Sequence, residues 1–240
     1  MNLRQPIYLL ADSRLLFDAG PQGLLLGDVG ERLSQEPLRA AYIGAANGDD
    51  PVFFELFCGA MAKIGIRACS HIKASFDAQD VEALQAAHLI LLAGGDVRLG
   101  WRAIAPMAPM LKARYAAGAV LVGVSAGAVH LGLGWGGSVG EPDRSFLPTL
   151  GLAPYLLDAH DEADDWARLK HLVQNPDAQF HGIGIPTGRG LVYHPKHKLE
   201  PVGGPSLSLQ CRDGVLRESM LFPHQTRNRN TNRGEMNEQE

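Results

Sequence analysis

The sequence predicts an α/β fold: a three-layer sandwich built on a mostly parallel, doubly wound sheet. Three observations carry this. Short apolar runs alternate with segments of helical spacing through the first half of the chain. The runs are almost continuously apolar, the pattern of parallel strands buried on both faces. Two of them end in glycine-rich turns, Gly94-Gly95-Asp96 and Gly123-Val124-Ser125-Ala126-Gly127. Both turns fall at the C-terminal strand edge, where such sheets bind their ligands.

Taken in order, residues 7–10 read as the first strand and 39–45 as another, closed by the turn signal Asn47-Gly48-Asp49-Asp50-Pro51. Pro51 suits the first turn of a helix over 52–64, whose Phe53, Phe54, Phe57 and Met61 recur at helical spacing and read as core. A strand over 66–72 and a helix over 77–87 follow, then the apolar run 88–93 into Gly94-Gly95-Asp96. Helical residues continue to Gly118, with Pro106 and Pro109 expected to break them. The strand at 119–124 runs into Ser125, and a glycine-rich stretch after it suggests an irregular loop over the site. Later, 155–158 reads as a short strand leading to His160, 164–173 as helix, and 180–185, 190–194, 207–211 and 215–220 as strands. The expected organisation is one hydrolytic domain over 1–222 and a disordered polar tail over 223–240, where Arg, Asn, Glu and Gln dominate.

Composition narrows the function classes. Hydrophobic residues make up 45% and charged residues 20% of the 240, as in a soluble globular chain long enough to bury a substantial core. A net charge of −4 and a pI near 6.1 argue against nucleic-acid and anionic-membrane partners. Three cysteines, Cys58, Cys69 and Cys211, have neither disulfide-framework nor zinc-site spacing. No metal or other cofactor is expected. No apolar stretch approaches a membrane span, and the N-terminal apolar run is too short for a signal peptide, so the expected location is cytoplasmic.

The chemistry concentrates at Gly-x-Ser-x-Gly. A strand that turns sharply through this pattern into a helix lifts the serine hydroxyl to the tip of the turn, a nucleophile elbow. The N–H of Ala126 then lies at the helix start, where it can stabilise an oxyanion. Such a serine needs a base, and the base an orienting acid. Among nine histidines His160 is the best placed, because it closes an apolar run at a strand end; a solvated loop histidine is the competing reading. His130, five residues past Ser125 on the same helix, points elsewhere. Glu141 and Asp143 lie between Ser125 and His160, giving the order serine, acid, histidine; either also reads as a loop charge.

These residues resemble the dipeptidase E and cyanophycinase family of serine peptidases. The matching pieces are Tyr42-Ile43-Gly44-Ala45-Ala46, Leu91-Leu92-Ala93-Gly94-Gly95-Asp96, Gly123-Val124-Ser125-Ala126-Gly127-Ala128, Leu150-Gly151-Leu152-Ala153-Pro154 through Asp158-Ala159-His160, Arg168-Leu169, and Gly182-Ile183-Gly184-Ile185-Pro186. They run in order from about residue 40 to 211. The resemblance implies a flavodoxin-like fold similar to class I glutamine amidotransferases, Ser125 as nucleophile, His160 as base, and an oxyanion hole from N–H groups near Gly95 and of Ala126. It implies hydrolysis of a small peptide or amide next to an aspartyl residue, by a monomer or homodimer. Gly94 and Asp96 are expected beside the substrate, and Arg168 is expected to meet the aspartyl carboxylate. Two positions depart from the family pattern: Asp161 follows the histidine where an aromatic residue is usual, and Thr187 stands where the cyanophycinase type has its acidic triad member. The dipeptidase E type takes its acid from the loop after the serine, which points to Glu141, with Asp143 as the alternative. An impaired family member that only binds its ligand, and an esterase of the α/β-hydrolase type, are the other readings the pattern admits.

Overall fold

In the computed structural model, residues 4–20, 23–33, 37–136, 145–175, 179–195 and 198–223 are described. The chain begins with β1 (Ile7–Leu10), a short ribbon of β2 (Ala19–Gly20) and β3 (Gly23–Leu24), and α1 (Val29–Leu33). Then come β4 (Arg39–Ile43), α2 (Pro51–Lys63), β5 (Ala68–Ile72), α3 (Ala78–Ala86), β6 (Leu89–Leu92), α4 (Val97–Ala116), β7 (Val120–Val124) and α5 (Ala126–Leu131). After a second ribbon of β8 (Gly134–Trp135) and β9 (Leu147–Pro148) come β10 (Leu156–Ala159), α6 (Ala167–Val173) and β11 (His181–Ile185). The described chain closes with β12 (Gly190–Tyr193), β13 (Leu199–Val202), β14 (Ser206–Arg212) and β15 (Val215–Leu221).

The central sheet has seven strands in the order β13-β12-β1-β7-β6-β4-β5. From β5 to β1 all neighbours are parallel, and β12 and β13 add an antiparallel edge. The chain leaves β4 first toward β5 and then back to β6, so the strand order reverses between β4 and β6. A crevice opens at that point, outside the strand ends. Side-chain alternation explains why the strands are apolar throughout. Ile7, Leu9, Ile43, Ile90, Leu92 and Leu121 face one core with α3 to α5. Tyr8, Leu10, Tyr42, Leu89, Leu91, Val120 and Val122 face the other with α1 and α2. A second sheet, β10-β11-β14-β15, joins the first core through Leu157, Ile183 and Ile185, and carries α6 on its other face through Leu169 and Val173.

The helix starts follow from local chemistry. Asp50 caps α2 by accepting from the Val52 N–H at 2.9 Å, with Pro51 in the first turn. Asp77 and Asp80 form a reciprocal capping box on α3.

Helix α4 departs from expectation: it runs unbroken for 20 residues through Pro106 and Pro109. Each proline removes the donor for the carbonyl four residues earlier, on Arg102 and Ala105. Both of those residues are exposed, which places the freed carbonyls on the solvent side of the helix. The opposite stripe, Gly100, Ile104, Met107, Leu111 and Tyr115, is buried and holds the helix on the sheet. The segment 164–173 is also shorter as a helix than its pattern suggests: Asp165 and Trp166 take left-handed φ values of 51° and 56°, and α6 starts only at Ala167. The tail expected to be disordered lies outside the described residues from position 224 on.

Candidate active site

Strand β7 delivers Ser125 to the edge of the crevice. Its backbone sits at φ 51° and ψ −114°, outside the regions open to most L-residues. Such a conformation costs about 1–3 kcal/mol and is held only by its surroundings. The Ser125 N–H donates to the Leu10 carbonyl at 2.7 Å, and the Ser125 carbonyl accepts from Ala128 and Val129. Gly127 is required by packing: a Cβ there would lie 2.0 Å from the Leu92 carbonyl oxygen, so only glycine lets α5 start so close to β6. Gly95 answers the same need on the facing turn. It has φ +138°, and a Cβ would lie 2.1 Å from the Ala46 carbonyl oxygen.

His160 follows β10 and is also left-handed, with φ 48°. Its N–H donates to the Ile185 carbonyl at 2.9 Å, which ties the end of β10 to that of β11. The imidazole then reaches back across the crevice, and His160 Nε2 lies 2.7 Å from Ser125 Oγ. With the proton on Nδ1, the serine hydroxyl donates to Nε2, the arrangement a general base requires. Residues 35 apart in sequence are thus brought into contact by two different sheets.

The other expected site residues divide. Gly94 and Gly95 line a cavity of about 340 Å³ together with Ser125 and His160. Ala126 opens α5 directly after Ser125, at the end of the helix where backbone N–H groups point outward. Asp96 does not face the cavity: it caps α4, its carboxylate accepting from the Leu99 N–H at 2.6 Å. Arg168 is the clearer correction. Its Nε and a terminal nitrogen hold both oxygens of Asp158 at 3.1 and 2.8 Å, and its guanidinium also lies over the Trp135 ring. Asp158 is buried in β10 and needs that cation, so Arg168 is committed within the fold and lines neither cavity beside Ser125. Glu141 and Asp143 lie outside the described residues.

Two features at the site escaped the sequence reading. The turn after β1 brings Asp12, Ser13 and Arg14 beside His160, where with Thr187 they line a second cavity. The Asp12 carboxylate fixes this turn, accepting from the N–H groups of Arg14 at 2.9 Å and Gly188 at 2.7 Å. The edge rule that singled out the turns after β6 and β7 applies equally to β1. The second feature is Glu162, two residues past His160. Its Oε1 accepts from the Thr187 N–H at 3.0 Å. Partial burial raises its carboxyl pKa, but the Thr187 hydrogen bonds and the charge of His160 outweigh this, and the net direction is downward. Asp161 goes the other way, raised by burial and by the neighbouring Asp158 charge despite Arg168. His130 turns away from Ser125, as its place on the helix predicts. Fully buried, it donates from Nε2 to the Val97 carbonyl at 2.9 Å and so joins α5 to the start of α4. Burial pushes its pKa down to about 4, so it is neutral at pH 7.

Residues 23–198 match the model of Peptidase family S51. The chain belongs to this family. The S51 match, the dipeptidase E and cyanophycinase family, spans both halves of the Ser125–His160 contact and makes the protein a serine-peptidase relative and a hydrolase. It also sets aside the α/β-hydrolase esterase. Among solved structures, a peptidase from an acI-B1 Actinobacterium has a TM-score of 0.61 at 17% identity, covering 92% of this chain and 96% of its own. A peptidase E protein from Listeria monocytogenes EGD-e has a TM-score of 0.57 at 14% identity, covering 82% of this chain and 97% of its own. At such identities these two likenesses speak for the three-layer α/β fold. No curated protein matches. No helix among the described residues is long and apolar enough to cross a membrane.

Proposed function

We propose that the protein hydrolyses small peptides or amides, with Ser125 as nucleophile and His160 as general base. The observation that carries the reading is the 2.7 Å separation of Ser125 Oγ and His160 Nε2 on the wall of a cavity. In the first step Oγ bonds to the substrate carbonyl carbon while His160 Nε2 takes the hydroxyl proton. Negative charge gathers on the carbonyl oxygen, and the N–H groups of Ala126 and Gly95 are the donors proposed for it. The imidazolium gives its proton to the leaving nitrogen, the C–N bond breaks, and water releases the acyl group by the same route.

A carboxylate behind His160 would hold its tautomer and stabilise the imidazolium. Glu162 is our choice, supported by its anchorage on Thr187 and by the pull of the His160 charge on its carboxyl, which acts downward. It would make good the glutamate that Thr187 replaces. Glu141 and Asp143, between Ser125 and His160 in sequence, are the alternatives. The aspartyl preference implied by the family resemblance loses its expected cation, because Arg168 is held by Asp158.

Fluorophosphonate labelling tests the nucleophile: wild type is expected to take the label on Ser125, and Ser125→Ala to take none. Absence of label from both proteins rejects the mechanism. In the same assay series Glu162→Gln is expected to lower kcat by roughly 10²- to 10⁴-fold. An unchanged kcat there, with the loss appearing in Glu141→Gln or Asp143→Asn, moves the acid to that residue.

A further inference from the structure

The cavity beside Ser125 has a chemistry of its own. Its wall is built by the ends of β1, β4, β6 and β7 and by the first two turns of α2. Its surface is mostly apolar, with Leu16, Phe17, Tyr42, Phe53, Leu56 and Phe57 among the lining residues. Among the described residues that line it, Asp12 is the one carboxylate, and neither lysine nor arginine is present. A volume near 340 Å³ suits one bulky side chain.

The lip of the cavity is apolar too. Val52, Phe53 and Leu56, in the first turns of α2, are 58%, 47% and 45% exposed. Phe53 and Leu56 belong to the lining and continue the apolar wall out to solvent. The buried aromatic residues beneath them, Tyr42 and Phe57, pack with ring centroids 5.4 Å apart and set a fixed floor.

Reaction geometry says which part of a substrate enters. The leaving nitrogen must lie toward His160, which donates its proton. On that side is the second, polar cavity of Asp12, Ser13, Arg14 and Thr187. The carbonyl oxygen lies toward the backbone at Gly95 and Ala126. The bond left over on the carbonyl carbon, to the acyl-side residue, is then assigned to the apolar cavity, which Ser125 itself lines.

We infer that the acyl-side residue of the substrate carries a bulky apolar side chain, aromatic or branched aliphatic, seated in this cavity, in place of an aspartyl side chain. The inference rests on the proposed roles of Ser125 and His160 for its orientation. An aspartyl carboxylate here would give up its water, meet no cation among the described residues that line this cavity, and face Asp12. An apolar side chain gains from burial and displaces water from an apolar wall.

Calorimetric binding of uncleaved dipeptides to the Ser125→Ala protein tests this without relying on turnover. Phe-Ala and Leu-Ala are expected to bind at least about tenfold more tightly than Asp-Ala, the ratio that corresponds to about 1.4 kcal/mol. Leu56→Arg in the same background changes an exposed position and places a cation at the lip. It is expected to weaken Phe-Ala and to tighten Asp-Ala, narrowing the gap by about tenfold or more. Asp-Ala binding as tightly as Phe-Ala, or no dipeptide binding up to millimolar concentration, overturns the inference. Failure of the mechanism has a different signature: wild type without a fluorophosphonate label while the apolar preference in binding persists.

Discussion

A charged side chain goes where its partner is buried. Arg168 stands eight residues past His160, a plausible place for a substrate cation. The fold instead puts a carboxylate, Asp158, at 4% exposure two residues before His160, and Arg168 answers it with two hydrogen bonds. Removing one partner of such a pair leaves a buried charge alone. Arg168→Ala is therefore expected to lower the free energy of unfolding by about 3–5 kcal/mol, read from the urea midpoint. A substrate-binding arginine would instead raise KM and leave the midpoint in place. The signal was present in the sequence: an aspartate inside the apolar run Leu156-Leu157-Asp158-Ala159 asks for a cation. Glu162 was overlooked for a different reason. Its nearness to His160 in sequence says nothing about direction, and its anchor, Thr187, is 25 residues away.

Whole elements were readable where burial and local propensity agree. The parallel strands and the helices α2 and α3 follow their apolar periods and aspartate caps closely. Helix α4 is where they disagree, since the two prolines argue locally for a break and the buried stripe argues for continuity. Packing prevails because the stripe meets the core all along the helix, whereas each proline leaves a carbonyl that water can reach. The prolines still carry a cost. Pro106→Ala restores the donor to the Arg102 carbonyl at an exposed position and is expected to raise stability by about 1–3 kcal/mol in urea unfolding. A loss of stability would mean that a kink at Pro106 is needed to seat α4.

The whole molecule depends on two helices that both start at the site. His130 joins them, its buried ring spanning from α5 to the first turn of α4. Its pKa is pushed down to about 4 in the folded protein, against about 6.5 when unfolded. Between those values the unfolded chain binds the extra proton. The contribution is complete above pH 6.5 and is lost as pH falls toward 4, amounting to about 3 kcal/mol at most. The pH dependence of the urea midpoint measures it, and His130→Leu is expected to flatten the curve between pH 6.5 and 4. An unchanged slope in that variant would assign the acid sensitivity to other groups. The strand-to-helix turn at Ser125 and the glycines around it were legible from the chain alone, because a serine that must stand at φ 51° against a neighbouring strand needs small residues on both sides. So were the parallel sheet and its ligand-binding edge, since doubly buried strands leave a continuous apolar signature. The serine's contact with His160, the commitment of Arg168 to Asp158 and the apolar lining of the cavity depended on how the two sheets and α2 come together. Those are meetings of residues far apart in sequence, and no local pattern encodes the distance between them.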